Sequence, residues 1–157
     1  MIQRLALLTL SLLLLPTLAL ADSHEGIVAE VEKAIEDGLA FSREHKAGAP
    51  DGISKDGSVE FWSSGGLANR VSPGGDPQEF EIFNLQAKHI EVIPLGDAAA
   101  VAIYYTEGSL QPKGHPVVAD YRTRVMAILV KEDGQWKQRA GHWSPLVGGS
   151  GTSQTVE

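Results

Sequence analysis

Side chains suited to binding and catalysis are concentrated between Val117 and Pro145 of this 157-residue chain. Two β-rich runs there flank Asp133-Gly134, a dipeptide that favours a tight turn, and this pattern predicts a long antiparallel hairpin. A guanidinium group offers a fixed fork of hydrogen-bond donors, and an imidazole titrates near neutral pH. We therefore predict that Arg124 and His142 bind an anionic or carbonyl-bearing ligand. The chemically versatile residues of the hairpin are Arg122, Arg124, Trp136, His142 and Trp143.

A structural role is the alternative for both of these residues. Arg124 would then pair with Asp120 or Glu107 at a sheet edge, where an ion pair contributes little. His142 would be a partly buried histidine whose hydrogen bonds are satisfied within the protein. If the protein is an enzyme, His142 is the candidate acid–base group.

The register of the hairpin decides which residues share a face. A two-residue turn at Asp133-Gly134 places Arg124 opposite Trp143, whereas a three-residue turn with a glycine bulge places Arg124 opposite His142. We favour the three-residue turn, because it puts the apolar residues beside Trp136 and the lysines on the other side. It groups on one face Arg122, Arg124, Met126, Ile128 and Val130 with Trp136, Ala140, His142 and Ser144.

Aromatic residues elsewhere extend the predicted ligand site. Tyr104 and Tyr105 are adjacent on a predicted strand, where successive side chains alternate between faces, so one of them points inward. Trp62 precedes Ser63-Ser64-Gly65-Gly66 and is a candidate for a pocket rim, where the glycines either allow a ligand to approach the backbone or simply make a turn. For Trp143, packing in the core or at a dimer contact is the alternative. Asp56, Glu60 and Glu107 are interpreted as solvated charges in a loop and at strand ends. The predicted ligand contacts are Arg124, His142, Tyr105, Trp62 and Trp143.

The sequence predicts no metal site and no cofactor. The five histidines are scattered, without His-x-His or His-Glu-x-x-His spacing, and the chain has no cysteine. If a leader is cleaved after Ala21, His24 becomes the third residue, which is the position that an amino-terminal copper or nickel site requires. A histidine also falls at this position by chance, and we do not count it as a site.

Residues 1–21 have the pattern of a signal peptide. Arg4 precedes an apolar run from Leu5 to Leu20, and Ala19-Leu20-Ala21 provides small residues for signal peptidase, so cleavage is predicted before Asp22. An uncleaved membrane anchor is the alternative. However, a proline interrupts the run, which is shorter than the roughly 20 apolar residues of a spanning helix. We expect the mature chain in the periplasm or outside the cell.

The predicted mature chain is acidic. Removal of Arg4 moves the formal net charge from −7 to −8. This charge disfavours nucleic acid and anionic membrane surfaces as partners. We therefore expect no nucleic-acid partner and no stable membrane association after cleavage. Without cysteines, an exported protein has no disulfides, so packing or an oligomer contact must supply its stability.

Apolar periodicity predicts a helix first and strands after it. Ile27, Val31 and Ile35 recur every four residues and predict an amphipathic helix from Glu25 to about Glu44. A Gly- and Pro-containing loop follows at 47–55. The predicted strands are Ser58–Trp62, Phe80–Ile93, Ala98–Glu107 and the two arms of the hairpin.

This order of elements predicts one α+β domain. A leading helix followed by antiparallel strands is the layout in which a helix covers one face of a curved sheet. The domain is predicted to span residues 22–147. A Gly-, Ser- and Thr-rich tail at 148–157 is expected to be disordered.

The end of the chain resembles the nuclear transport factor 2-like superfamily, in particular its SnoaL-like branch. The motifs are Arg-x-Arg at 122–124, a charged Asp-Gly-x-Trp turn at 132–137, and His142-Trp143-Ser144. The association domain of calmodulin-dependent kinase ends in a similar way. The resemblance covers about Asp22 to Pro145 and implies a cone-like half-barrel with a pocket, often dimeric through the outer sheet face. The stretch 47–76 is rich in Gly, Pro and Ser where many relatives carry covering helices.

Three functions are compatible with this resemblance, since the fold does not select among them. The favoured hypothesis is an exported, homodimeric domain that binds a small, partly apolar molecule facing Arg124 and His142. The first alternative is a cofactor-independent isomerase, dehydratase or cyclase acting on a small carbonyl compound. It would use His142 or an inward tyrosine as its acid–base group. The second alternative is a structural dimerisation domain.

Overall fold

The computed structural model describes the backbone of residues 15–146 and the side chains of residues 24–146. Most of the predicted signal peptide, residues 1–14, lies outside the described residues. The predicted tail at 148–157 lies outside them as well.

The helix α1 spans Leu15–His45 and so includes the whole predicted helix. Ile27, Val31 and Ile35 are buried on one side of it, as the four-residue spacing requires. The helix ends where Lys46 adopts a left-handed φ of 54° and its amide donates to the Ser42 carbonyl at 3.0 Å. Within the described residues, no helix combines the length and apolarity needed to cross a membrane.

Seven strands form one strongly curved, mixed sheet that wraps into a half-barrel against α1. The strand order is β2-β1-β7-β6-β5-β3, and β4 also pairs with β5. The α+β prediction is confirmed, but β1 runs parallel to β7, so the sheet is not wholly antiparallel. The strands are β1 Ser58–Phe61, β2 Asn69–Val71, β3 Phe80–Phe83, β4 Gln86–Pro94, β5 Ala99–Pro112, β6 Val118–Glu132 and β7 Gln135–Pro145.

Alternation along β5 and β6 gives the sheet two different faces. We call the side that packs on α1 the inner face and the opposite side the outer face. The inner face carries small or apolar residues that form the buried core with α1, while the outer face carries exposed apolar residues. The inner residues are Ala100, Ala102, Tyr104, Val125, Ala127 and Leu129. The outer residues are Ile103, Tyr105, Met126 and Ile128.

The register of the long hairpin differs from the one we favoured. Asp133 and Gly134 both have positive φ, 51° and 78°, and make a two-residue turn closed by the pair Glu132–Gln135. An extra residue on β7, Arg139, then shifts the pairing by one. As a result Arg124 lies opposite Ser144, which neither predicted register gave.

The turn and the bulge together decide the face of each residue on β7. Arg124 and His142 lie on one face, as predicted, because Arg124 pairs with Ser144 and Met126 pairs with His142. The predicted placement of Trp136 on that face is wrong. Trp136 lies before the bulge and points to the inner face, where its indole N–H donates to a Glu30 carboxylate oxygen at 2.8 Å.

The hairpin turn anchors the loop that follows α1. The Glu132 carboxylate accepts the Lys55 backbone N–H at 2.9 Å and the Ser54 hydroxyl at 2.7 Å. These two hydrogen bonds, the Lys55 N–H first, lower the pKa of Glu132 below its ordinary value of 4.5. The carboxylate therefore ties the loop to the sheet in its ionised form.

The variant Glu132→Gln should lose this pH-dependent anchoring. A lowered carboxyl pKa contributes stability that is full above the unfolded-state value of about 4.5 and is lost as the pH falls through the folded-state value. We expect the wild-type protein to exceed Glu132→Gln in free energy of unfolding at pH 7, and the gap to close in acid. Urea titrations across pH measure this gap. The exposed helix variant Glu36→Gln is the control, and equal pH profiles for both variants would contradict the assignment.

Candidate functional site

The sheet separates the five predicted ligand contacts. Tyr105, Arg124 and His142 lie exposed on the outer face. Trp143 pairs with Val125 and packs against the core on the inner face. Trp62 follows β1 and is 40% exposed. A single ligand inside the cone therefore does not reach all five, and ligand binding by any of them stays a prediction.

On the outer face the polar groups are bonded to their neighbours on the sheet. The Arg124 Nε donates to the Ser144 hydroxyl at 3.0 Å, so Arg124 makes neither of the alternative ion pairs, while Arg122 pairs with Asp120 at 2.8 Å. The His142 ring meets the Phe61 ring edge to face, with centroids 5.8 Å apart. We call the exposed apolar and aromatic surface here the outer patch: Phe61, Ile103, Tyr105, Met126, Ile128 and His142.

Glu60 is the residue that sequence reasoning missed. It was interpreted as a solvated strand-end charge, and this interpretation is wrong, because Glu60 is only 6% exposed. On β1 the polar residues Ser58 and Glu60 point inward and are buried, whereas Phe61 points outward. In β1 the polar side chains therefore face the interior and Phe61 faces solvent, which is the reverse of the usual arrangement. The alternating sequence Ser-Val-Glu-Phe shows that successive side chains lie on opposite faces, but it does not show which face is buried.

The Glu60 carboxylate lies among neutral hydrogen-bond donors. It accepts the Trp62 indole N–H at 2.8 Å and the Gln138 side-chain amide at 2.5 Å. A carboxylate has about four lone-pair directions, so two donors leave part of its hydrogen-bonding capacity unused. The arrangement can bind a group that donates hydrogen bonds or carries positive charge.

The loop after β1 brings further polar groups to the same face. The Ser63 hydroxyl and the Tyr121 hydroxyl are 2.8 Å apart, so the loop passes the end of β7 to reach β6. Burial first, and the nearby Tyr121 second, raise the pKa of Tyr104 well above its ordinary value. The Tyr104 phenol is therefore neutral throughout the physiological range. We call the residues around Glu60 on the inner face, without Tyr104, the inner polar cluster. Its members are Glu60, Trp62, Ser63, Tyr121, Gln138 and Trp143.

Gly141 sets the position of the Trp143 ring. Gly141 is the register partner of Glu60 on the neighbouring strand, and a Cβ atom added to it would overlap the six-membered ring of Trp143. The indole therefore lies over the Gly141 backbone, on the inner face beside Glu60. Only glycine leaves space for the ring there.

Other candidate sites are less well formed. Among residues 24–146, no three His, Asp or Glu side chains gather in a way that could hold a metal ion. His24 is exposed near the beginning of the described side chains. Two open surface depressions, of about 590 and 470 Å³, contain none of the five predicted contacts. The inner polar cluster is the more specific arrangement, because it combines a buried carboxylate with aromatic rings.

Comparison with known structures identifies the fold. An NTF2-like protein of unknown function from Pseudomonas putida superposes with a TM-score of 0.55 at 17% identity, over 76% of this chain and 87% of that one. An NTF2-like protein from Prochlorococcus marinus gives 0.52 at 18%, over 80% and 94%. A ketosteroid isomerase-like protein from Erwinia carotovora gives 0.53 at 16%, over 77% and 97%. The chain has the NTF2-like fold, as the resemblance implied.

These structural similarities establish the fold and not the activity. Neither a protein-family model nor a curated protein sequence matches the chain. Any function must therefore be argued from the side chains of the site.

The variant Gly141→Ala tests the position of Trp143. The added methyl group must displace the indole or the strand, and we expect a loss of about 1–3 kcal/mol in the free energy of unfolding, with a changed near-ultraviolet circular dichroism spectrum. Gly38→Ala is the matched control, because a Cβ there meets nothing within 4 Å and alanine favours a helix by about 1 kcal/mol. A Gly141→Ala protein with unchanged stability and spectrum would contradict the placement of the ring.

Proposed function

We propose that this chain is an exported small-molecule-binding domain of the SnoaL-like type, and that its ligand binds at the inner polar cluster. The observation that carries the proposal is the buried Glu60 carboxylate, bonded to Trp62 and Gln138. A carboxylate is rarely buried unless it is paired or has a function. The proposal keeps Trp62 and Trp143 as ligand contacts.

The composition of the cluster fits a ligand site. Small-molecule sites are lined by aromatic and apolar side chains with a few polar groups that fix the orientation of the ligand. Trp62, Tyr121 and Trp143 are partly exposed and provide the aromatic surface, while Glu60 and Ser63 provide the polar groups. Trp62 is the most exposed residue of the cluster, at 40%.

Export is supported by the amino-terminal sequence. Arg4, the apolar run from Leu5 to Leu20 and Ala19-Leu20-Ala21 together have the order of a cleavable leader. The mature protein then functions in the periplasm or outside the cell.

Tryptophan variants test the ligand site, because the chain has three tryptophans in different surroundings. A ligand found by thermal-shift screening should quench tryptophan fluorescence. We expect Trp62→Phe and Trp143→Phe to lose much of the quenching and to weaken binding about tenfold or more. Trp136→Phe is the matched control, since Trp136 contacts Glu30 on α1 rather than the cluster. The measurement is a fluorescence titration of all three variants.

Equal effects of the three substitutions would contradict a site at the cluster. The same preparations distinguish the enzyme hypothesis, because an isomerase, dehydratase or cyclase would convert the bound compound. Product analysis by mass spectrometry after incubation measures this conversion. If the protein binds no compound, the remaining hypothesis is a structural dimerisation domain.

We infer that the outer patch binds a second copy of the chain. Exposed apolar surface of this kind marks an interaction site. Its borders carry both signs of charge, with Arg122 and Arg124 on β6 and Glu91 and Glu107 on β4 and β5. In a twofold contact the arginines of one copy can lie against the glutamates of the other, so a face with both signs of charge can be complementary to itself. Tyr105, Arg124 and His142 are then interface residues.

The variant Met126→Lys tests this interface. Met126 is 51% exposed in the middle of the patch, and a buried lysine without a partner is costly. We expect the wild-type protein to be a dimer and Met126→Lys to raise the dimer dissociation constant at least about tenfold. Leu67→Lys is the control, since Leu67 is 91% exposed in a loop outside the patch. Sedimentation equilibrium measures both, and a wild-type monomer at all concentrations would overturn the interface.

A further inference from the structure

The buried Glu60 carboxylate has no cationic partner. None of the ion pairs formed by the described residues includes it. Its two donors, the indole of Trp62 and the amide of Gln138, are both neutral. Removing a charge from water without an opposite charge nearby is unfavourable, and protein carboxylates at this depth are normally paired.

The protein has an arginine near β1 that is not used for this purpose. Arg139 lies on the adjoining strand, but its guanidinium donates to the Gly57 carbonyl at 3.2 Å. Ser58 lies on the same side of β1 as Glu60, and its buried hydroxyl has no hydrogen-bond partner. The inward side of β1 therefore holds negative charge and an unused polar group, and no positive charge.

The aromatic rings of the cluster are also free of cations. Within the described part of the chain, the cation–π contact is that of Lys131 over Trp136, at 5.7 Å from the ring centre. Trp136 is the tryptophan outside the cluster. Trp62 and Trp143 have no such contact there, although the negative face of an indole ring attracts cations more strongly than other side-chain rings do.

We propose that the ligand of the inner polar cluster is a small organic cation, an amine or a quaternary ammonium compound. This inference rests on the proposed small-molecule function and specifies its substrate class. Glu60 supplies the opposite charge, while Trp62 and Trp143 supply aromatic faces for the carbon atoms and the charge. The formal net charge of −7 also favours the approach of a cation over that of an anion.

The proposal reverses the ligand charge expected from Arg124 and His142. Those two residues lie on the outer face, away from the cluster. The charge of the ligand is decided by the side chains that surround it, and at the cluster these are acidic or neutral.

Matched pairs of compounds test the charge directly. One pair is choline and its neutral carbon analogue, in which a tert-butyl group replaces the trimethylammonium group. The other is benzylamine and benzyl alcohol. The members of each pair have similar shapes, so a difference in affinity reports charge. We expect the cation of at least one pair to bind at least about tenfold more tightly than its neutral partner, as measured by calorimetry.

Two variants assign the effect to the site. Glu60→Gln removes the charge at nearly constant shape, and Gln138 can turn its amide to present an oxygen to it. We expect the preference for the cation to fall at least about threefold, with the remainder supplied by the tryptophan rings. Trp62→Leu keeps the charge of Glu60 and removes one aromatic ring. It should weaken the binding of the cation more than the binding of the neutral compound. The controls are Glu36→Gln on the exposed side of α1 and Leu67→Ala in the loop after β1.

The possible results distinguish a failure of the cationic-ligand proposal from a failure of the proposed small-molecule function. Neutral compounds that bind as well as the cations, or a cation preference that is unchanged in folded Glu60→Gln protein, overturn the cationic ligand and leave small-molecule binding intact. The cationic ligand is also overturned if neutral library compounds quench the fluorescence of Trp62 while choline and benzylamine do not bind. If nothing in a broad library binds at the tryptophans, the proposed function fails together with the inference.

Discussion

The packing of α1 against the inner face of the sheet is the contact on which the rest of the structure depends. Ala100, Ala102 and Ala127 are almost completely buried and share one core with Val31 of α1, whose backbone lies nearest to β4. This contact determines which face of β5 and β6 is covered. Since strand side chains alternate strictly, the same contact leaves Tyr105, Met126 and the other residues of the outer patch exposed.

The sequence predicted the elements better than their faces. The four-residue spacing in α1 and the hairpin at Asp133-Gly134 have direct local causes, and both elements are present, although the turn has two residues and not the three that we favoured. The two-residue turn, rather than the three-residue turn that we favoured, puts Trp136 on the inner face. The bulge at Arg139 has no local signal, because any residue can occupy it, and it determines the faces of the residues that follow it, including His142. The burial of Glu60 depends on strands about 80 residues further along the chain. Periodicity within β1 does not contain that information, and the three-residue β2 is too short to show a period.

The reversal of β1 gives the two sides of the sheet different chemistry. Phe61 adds an aromatic ring to the outer patch, and Glu60 adds a carboxylate to the inner face. If β1 had the ordinary polarity, the patch would be smaller and the inner face would lack its buried carboxylate. One short strand thus contributes to both proposed binding surfaces. Substitutions in it affect both of them, whereas changes at Met126 or Tyr121 affect one.

The parallel pairing of β1 with β7 also determines the stage of folding at which the site forms. Val59 lies beside Ala140, so the cluster joins distant parts of the chain, and such contacts form late because a long loop must close first. Glu60 and Trp143 are therefore neighbours only after the last strand has been added. A ligand held between them binds the native state alone, and its occupancy would stabilise the whole domain against unfolding. In a protein without disulfides, the ligand would then act as a reversible cross-link between the two ends of the fold.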